Sequence, residues 1–342
     1  MDSVQEPLQS TDTIVKTILP ALKTFPTNEI AIIGCHAAGL ARRACEYDLL
    51  VISRDPIPEK FVSVGESYAE LMFRNEREVR QPAPDLAVAL ASAVPLRDNS
   101  LLLASTISES RRNYTLNCTS LMEVRLASAL KAVGRVDELL ATGEAREADF
   151  WLLSAASDYA CAELLNSQIV PAPSHLLAQI KSIPKDRGVS FKSWADASGL
   201  ELASRVSCEN RLESLSVVYD VLRTSPASVE VFPQLGRYRD AEAFNLLHFK
   251  AEELILSMQS VECFSYLGTE TVRSILDLYS LHASRLAKEK DYTSTIRDLT
   301  VGKDRLISEE VLKSLGLLRS QEMLRSATDE LKTAVSALAK KI

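Results

Sequence analysis

Two carboxylates at the start of an apolar run are the residues of this chain best placed to do chemistry. Glu46 and Asp48 are separated by one residue, and Asp48 directly precedes Leu49-Leu50-Val51-Ile52. On a β-strand, residues i and i+2 project to the same face, so the two carboxylates should lie side by side. Two like charges held together repel unless a cation shares them, and carboxylate oxygens suit Mg²⁺. The spacing therefore predicts a metal-binding pair of acids.

A glycine turn precedes these acids in the chain. The apolar run Ile30–Ile33 ends at Gly34, and Gly39 follows five residues later. Backbone N–H groups of such a turn can face phosphate oxygens, and the imidazole of His36 within the turn could do the same. Phosphoryl chemistry uses metal-binding acids beside a phosphate-binding turn. The segment from Ile30 to Ile52 thus predicts a strand, a glycine turn, a short helix and a second strand.

A dinucleotide-binding fold is one interpretation of the same segment, and two features disfavour it. His36 stands where the second glycine of G-x-G-x-x-G must let the backbone approach a pyrophosphate. The helix that follows Gly39 is also short, because the chain returns to strand at Asp48. A crossover between parallel strands needs roughly a dozen residues or more.

The spacing instead resembles the nucleotidyltransferase superfamily, the DNA polymerase β-like palm. Small members carry Gly-Ser, then Arg-Gly, then five variable residues, then Ser-Asp-x-Asp-Leu. This chain keeps that register without a gap, with Gly34-Cys35, Ala38-Gly39 and Cys45-Glu46-Tyr47-Asp48-Leu49 at the three places. Cysteine replaces serine twice, alanine replaces arginine, and glutamate replaces the first aspartate. The resemblance covers about the first 80 residues.

A third carboxylate completes the site in that superfamily, on a later antiparallel strand. Phe61–Val64 and Tyr68–Phe73 read as two strands joined by a tight turn at Gly65-Glu66-Ser67, which is a hairpin pattern. Glu70 is the charged residue inside the second of these strands. A bare carboxylate among apolar neighbours is costly, so such a residue is either functional or salt-bridged. We expect Glu70 to be the third acid.

The resemblance implies the transfer of a nucleoside monophosphate from a nucleoside triphosphate to an acceptor hydroxyl, with release of pyrophosphate. Glu46 and Asp48 would hold two Mg²⁺ ions, and Glu70 would complete the site and help to deprotonate the acceptor. The base stays open, as does the acceptor, which could be RNA, a protein or a small molecule. Contacts to the nucleotide phosphates are expected from the turn residues Gly34, Cys35, His36 and Gly39.

The altered motif also supports a second interpretation. A catalytically silent palm could act as a nucleotide sensor or as a scaffold for RNA or protein. A third interpretation, a purely structural helical adaptor, would require the carboxylates of Glu46, Asp48 and Glu70 to lie apart. For each of these acids the simplest alternative is a solvated charge at the end of a strand.

Composition favours a cytoplasmic enzyme or binding protein with no membrane partner. The 342 residues are 46% hydrophobic and carry a net charge of −7, which argues against broad nucleic-acid binding. No apolar run approaches the roughly 20 residues that span a bilayer, and the acidic, polar start is unlike a secretory signal. The six cysteines are widely spaced without a C-x-x-C pair, so zinc and disulfide frameworks are not expected.

The predicted fold class is α+β, with a small mixed-sheet palm over residues 1–80 and a large all-α domain over 81–342. A linker is expected at Gln81–Pro84, and the helical domain could divide near residues 170–190 and 225–236. An amphipathic helix is predicted over Thr11–Lys23. Apolar residues at helical spacing predict further helices at Asp85–Val94, Leu121–Val133, Ala148–Ile169, Arg211–Leu222, Ala241–Gln259, Thr269–Lys288 and Ser308–Lys341.

Overall fold

The structure is a computed structural model. It describes residues 16, 18, 23, 25, 28–55, 57–65, 67–184, 191–229, 232, 235–285, 295–301, 305–317 and 319–341. Most of the helix predicted over Thr11–Lys23 lies outside these residues, as does Glu66 of the predicted turn. The chain divides into two compact units. The first, here called the sheet unit, comprises residues 1–117 and 240–250, and the second, the helical unit, comprises residues 118–239 and 251–342.

A five-stranded mixed sheet forms the centre of the sheet unit. In chain order the strands are β1 (Ile30–Ile33), β2 (Tyr47–Ile52), β3 (Lys60–Val64), β4 (Ser67–Arg74) and β5 (Val94–Arg97). Their spatial order is β3-β4-β2-β1-β5. The predicted hairpin is confirmed, because β3 and β4 pair antiparallel. β1 also pairs antiparallel with β2, which excludes the dinucleotide-binding interpretation, since that fold needs these two strands parallel.

Both faces of this sheet are buried, so its strands read as continuous apolar runs rather than as alternating ones. One face packs Ile30, Ile32, Leu49, Val51 and Leu71 together. The residues between them point the other way, and that second face buries Ala31, Ile33 and Leu50 against helix residues Val79, Leu90 and Leu103. Asp48 and Glu70 belong to the second face by the same alternation.

Short helices follow the strands of the sheet unit. They are α1 (Gly34–Ala37), α2 (Glu76–Arg80), α3 (Pro84–Ser92) and α4 (Leu102–Arg112). Three of them, α2, α3 and α4, pack on the second face of the sheet. Asn75 caps α2 with a capping box to Glu78, and Pro84 begins α3, a position where its missing N–H costs nothing. The segment Gln81–Pro84, predicted as a linker, therefore joins two helices of one unit, and the sheet unit extends beyond residue 80.

The helical unit follows the predicted pattern, and the fold class α+β is confirmed. Its helices, some of which begin or end in the sheet unit, are α5 (Tyr114–Ala141), α6 (Ala145–Asn166), α7 (Leu176–Ser182), α8 (Phe191–Ala197), α9 (Arg205–Thr224), α10 (Leu235–Arg239), α11 (Ala241–Leu256), α12 (Ser260–Arg285), α13 (Thr295–Thr300), α14 (Glu309–Ser314) and α15 (Gln321–Ala339). Among the residues that the structure describes, none of the helices is long and apolar enough to cross a membrane.

Several of the predicted helices differ in extent from those of the structure, and two of the differences have a local cause. The helix predicted over Ser308–Lys341 is two helices, because Gly316 adopts φ +79° after α14 and Ser320 then caps α15. The helix predicted up to Val94 ends at Ser92, and Val94 begins the edge strand β5. Within the described part of the chain after Pro84, β5 is the one strand, so no second sheet is seen there.

Candidate metal centre

The structure brings the three predicted acids together. One carboxylate oxygen from each of Glu46, Asp48 and Glu70 lies within 4.8 Å of the other two. Asp48 on β2 and Glu70 on β4 are direct partners in the parallel pairing of these strands. Glu46 lies one residue before β2 begins. The acids therefore form one cluster at a defined place on the sheet, and their roles in chemistry stay predictions.

Strand geometry explains why the cluster forms. Neighbouring strands are about 4.8 Å apart, and register partners project to the same face, so the two strand acids must be neighbours. Glu70 is buried, with 6% of its surface exposed, whereas Asp48 and Glu46 are partly buried. The sequence signal for Glu70, an isolated charge in an apolar strand, thus selected a residue that lies beside the other two acids.

Gly34 makes room for one of these carboxylates. Ile33 is the register partner of Asp48 in the β1–β2 pairing, so the next residue of the chain lies beside the Asp48 side chain. A Cβ atom built on Gly34 would lie 1.8 Å from Asp48 Oδ2, and Gly34 has φ +69°. Only glycine satisfies both conditions without displacement of its neighbour. The carboxylate of Asp48 thus packs directly against the backbone of the glycine turn.

The cluster carries an electrostatic cost that favours a cation. Burial raises the pKa of Asp48 well above its usual range, and the nearby charges of Glu46 and Glu70 raise it further. The ammonium of Lys250 acts in the opposite sense. A divalent cation bound between the three carboxylates would remove their mutual repulsion and supply the charge that water cannot supply at a buried site.

Lys250 is a member of this site that was not predicted from the sequence. Its Nζ forms an ion pair with Glu46 Oε2, and the side chains are only 8% and 12% exposed. Both residues belong to the sheet unit. On α11, Lys250 shares a buried stripe with Ala243, Leu247 and Leu254. A charge within an apolar helical stripe is the same kind of signal that identified Glu70.

The glycine turn differs from its prediction in one respect. The short helix begins at Gly34 and ends at Ala37, whereas the helix expected from the sequence followed Gly39. Gly39 follows with φ +72°, and the amide of Leu40 donates to the carbonyl of Cys35 at 2.9 Å. A left-handed residue ends a helix, so residues 40–46 return to β2 without a helical segment.

The remaining turn residues are held by their neighbours. A hydrogen bond with Cys45 and burial both raise the pKa of the Cys35 thiol, so Cys35 is a neutral group. The His36 ring stacks on Tyr47 with a centroid distance of 4.2 Å, and its Nε2 lies 3.3 Å from the Cys45 carbonyl. Tyr47 packs on the sheet face opposite Asp48. Neither Cys35 nor His36 therefore joins the carboxylate cluster.

The donor set fits a divalent cation with oxygen ligands. Three carboxylates converge within 4.8 Å, and hard cations such as Mg²⁺ are bound by carboxylate oxygens together with water and substrate phosphates. The close packing of Asp48 against Gly34 would also bring any phosphate that shares the cation next to the turn. Both observations agree with a site for a metal–phosphate complex.

Comparison with known proteins finds distant structural similarity. No protein-family model matches the chain, and a search of curated proteins finds no match. Among solved structures, the chain is similar to a nucleotidyltransferase-like protein from Exiguobacterium sibiricum 255-15, whose crystal structure was determined at 1.90 Å. The two share 14% sequence identity over 83% of this chain and 85% of that chain, with a TM-score of 0.31. A similarity this distant assigns no chemistry to this chain.

Proposed function

We propose that this protein is a divalent-metal-dependent nucleotidyltransferase. It would transfer a nucleoside monophosphate from a nucleoside triphosphate to an acceptor hydroxyl and release pyrophosphate. One observation carries the proposal: oxygens of Glu46, Asp48 and Glu70 lie within 4.8 Å of one another. The resemblance in motif spacing, with Gly34 packed against Asp48, supports the same reaction class.

The three acids have distinct roles in this proposal. Glu46 and Asp48 would hold Mg²⁺, which when bound stabilises the attacking and leaving oxygens of an in-line displacement. The acceptor oxygen bonds to the α-phosphorus as the bond from that phosphorus to the pyrophosphate oxygen breaks. Glu70, the most buried of the three, would complete the cation site and take the proton of the acceptor hydroxyl.

The glycine turn would receive the phosphates of the substrate. Because Asp48 packs on Gly34, a triphosphate held at the acids would extend along the turn, where the backbone of Gly34, Cys35 and Gly39 lies. The neutral thiol of Cys35 adds no negative charge there. His36 stays a predicted contact, since its ring packs on Tyr47.

One observation favours a second candidate, the catalytically silent palm. The ion pair between Lys250 and Glu46 already places a positive charge on one of the three acids. A palm whose acids are partly neutralised in this way could bind a nucleotide as a sensor, or support RNA or protein contacts, without breaking a phosphate bond. Binding of a triphosphate without release of pyrophosphate would be its signature.

An incubation with labelled triphosphates tests the proposal. The protein is mixed with Mg²⁺ and each of the four labelled ribonucleoside triphosphates, first alone and then with a heat-treated cell extract that supplies RNA and small-molecule acceptors. We expect at least one triphosphate to give pyrophosphate together with labelled protein, RNA or small molecule, and this result also identifies the base. If none of them gives pyrophosphate but one raises the melting temperature, the silent palm is the better account. If none gives either signal, both nucleotide functions fail.

A further inference from the structure

The position of Lys250 suggests a function beyond charge balance. A buried ammonium is rare in proteins unless a carboxylate pairs with it, and here the partner is one of the three acids of the proposed cation site. Lys250 also acts on the charge of Asp48, so its field reaches more than one member of the cluster. With all four groups ionised, three carboxylates and one ammonium leave the cluster a formal charge of −2.

We infer that Lys250 is a tethered counter-ion, which competes with the divalent cation for Glu46. This inference rests on the proposed function for the identity of the cation site. The Nζ of Lys250 contacts Glu46 Oε2, which is the kind of oxygen that a bound metal would use. A cation that takes this oxygen must displace the ammonium. The free energy of breaking the ion pair is then subtracted from the affinity of the site for the free metal ion.

A triphosphate should reverse the effect of Lys250 on metal binding. The displaced ammonium stays on α11 beside the site, because the part of α11 that carries Lys250 belongs to the sheet unit. If phosphates arrive together with the metal, they offer Lys250 a new anionic partner, and the lost ion pair is replaced. Lys250 would therefore weaken the binding of the metal alone and strengthen the binding of the metal–triphosphate complex. The residue selects for loading of both ligands together.

The test compares Mn²⁺ binding, measured by electron paramagnetic resonance, in the wild type, Lys250→Met and Lys250→Arg. Two probes are used: Mn²⁺ alone, and Mn²⁺ with inorganic tripolyphosphate, which needs no knowledge of the base. We expect K250M to bind free Mn²⁺ about tenfold tighter or more, since a buried unit charge near the cation is removed. The same variant should bind the Mn²⁺–tripolyphosphate complex more weakly than the wild type. K250R keeps the charge and should stay near wild type with both probes.

Controls separate the inference from a failure of folding. Circular dichroism and melting curves in EDTA establish that each variant is folded, and Lys250→Gln replaces K250M if the methionine variant is not. The double variant E46Q/K250M removes both charges of the ion pair and one cation ligand. It should bind free Mn²⁺ more weakly than K250M, because the tightening depends on the carboxylate of Glu46 that Lys250 contacts in the wild type.

Two results would overturn the counter-ion inference. One is that K250M binds free Mn²⁺ no more tightly than the wild type. The other is that neither the wild type nor any variant binds Mn²⁺. The fate of the proposed function is measured separately by pyrophosphate release. Tighter Mn²⁺ binding in K250M without pyrophosphate from any triphosphate would uphold the counter-ion and refute nucleotidyl transfer. Pyrophosphate release, with the same Mn²⁺ affinity in K250M as in the wild type, would uphold nucleotidyl transfer and refute the counter-ion.

Discussion

Asp48 and Glu70 are register partners on two parallel, adjacent strands, so their carboxylates project side by side from one face of the sheet. Like charges placed directly opposite each other in a sheet destabilise it. Glu46 adds a third carboxylate to the pair, and Lys250 offsets only part of the charge. This arrangement lowers the stability of the fold at a place where a bound cation would restore it. Such a local loss of stability is typical of functional sites.

Neutralising the two acids that flank Tyr47 should have unequal effects on stability. In EDTA, Asp48→Asn removes a repelling charge and keeps the shape, so the free energy of unfolding should stay the same or rise. Glu46→Gln leaves the buried ammonium of Lys250 without the carboxylate that it contacts. This variant should lower the free energy of unfolding by roughly 1–3 kcal/mol. Urea unfolding of both variants measures the difference.

Judged by their spacing alone, the two acids would be equivalent, since each substitution removes one of two repelling charges. In the structure the two acids are not equivalent, because Lys250 forms its ion pair with Glu46. Equal unfolding free energies for the two variants would show that the ion pair contributes nothing to the fold.

Two glycines of the turn form a matched pair for testing the site. Gly34 and Gly39 both have φ near +70°, so Ala at either position should cost about 1–2 kcal/mol of backbone strain. A Cβ at Gly39 meets nothing within 4 Å, whereas at Gly34 it would overlap Asp48 Oδ2. We expect Gly34→Ala to weaken Mn²⁺ binding and Gly39→Ala to leave it unchanged. Equal Mn²⁺ affinities in the two variants would contradict the close packing of Asp48 on the turn.

The parts of the site that were predictable depend on local pattern. Apolar runs and a glycine turn identified β1, β2 and the β3–β4 hairpin. The spacing of Glu46 and Asp48 predicted that these two acids are neighbours, although Glu46 lies just before β2, and its isolated charge singled out Glu70. The pairing of β2 with β4 was not predicted, but the resemblance supplied the expectation that a later strand would bring the third acid.

The parts that were not predictable depend on contacts distant in sequence. Lys250 is 204 residues from Glu46, and nothing local says which acid it meets. β5 is a four-residue edge strand that contains Pro95, a residue that argues against a strand in most contexts. The break before α15 did have a local signal, since Gly316 is a common helix terminator, but the helical periodicity on both sides of it concealed the end.

The helical unit should show a pH dependence that comes from one buried acid. Oε2 of Glu147 on α6 accepts hydrogen bonds from the amides of Ile296 at 2.8 Å and Arg297 at 3.2 Å. Burial nevertheless raises its pKa from 4.5 to about 7. Between pH 4.5 and 7 the folded state therefore holds a proton that the unfolded state has lost. The free energy of unfolding therefore falls by roughly 3 kcal/mol as the pH rises through this window. Above pH 7 the titration of Glu147 changes it no further.

Glu147→Gln keeps an acceptor oxygen for the two amides and removes the titration. We expect its unfolding free energy to change less than that of the wild type between pH 5 and pH 7, as measured in urea at several pH values. An identical slope in the variant would show that Glu147 is not the group responsible.

The most direct test of the central claim is the rate of Mg²⁺-dependent pyrophosphate release in the wild type, Asp48→Asn and Glu46→Gln. Each is assayed with the triphosphate that the wild type uses, and folding is verified by melting in EDTA. Asparagine keeps the shape of Asp48 but cannot neutralise a cation, so D48N should lose about 100-fold or more of the rate. E46Q should lose less, because its carboxylate is shared with Lys250. A folded D48N that releases pyrophosphate at the wild-type rate would contradict the assignment of the three carboxylates as a catalytic metal centre.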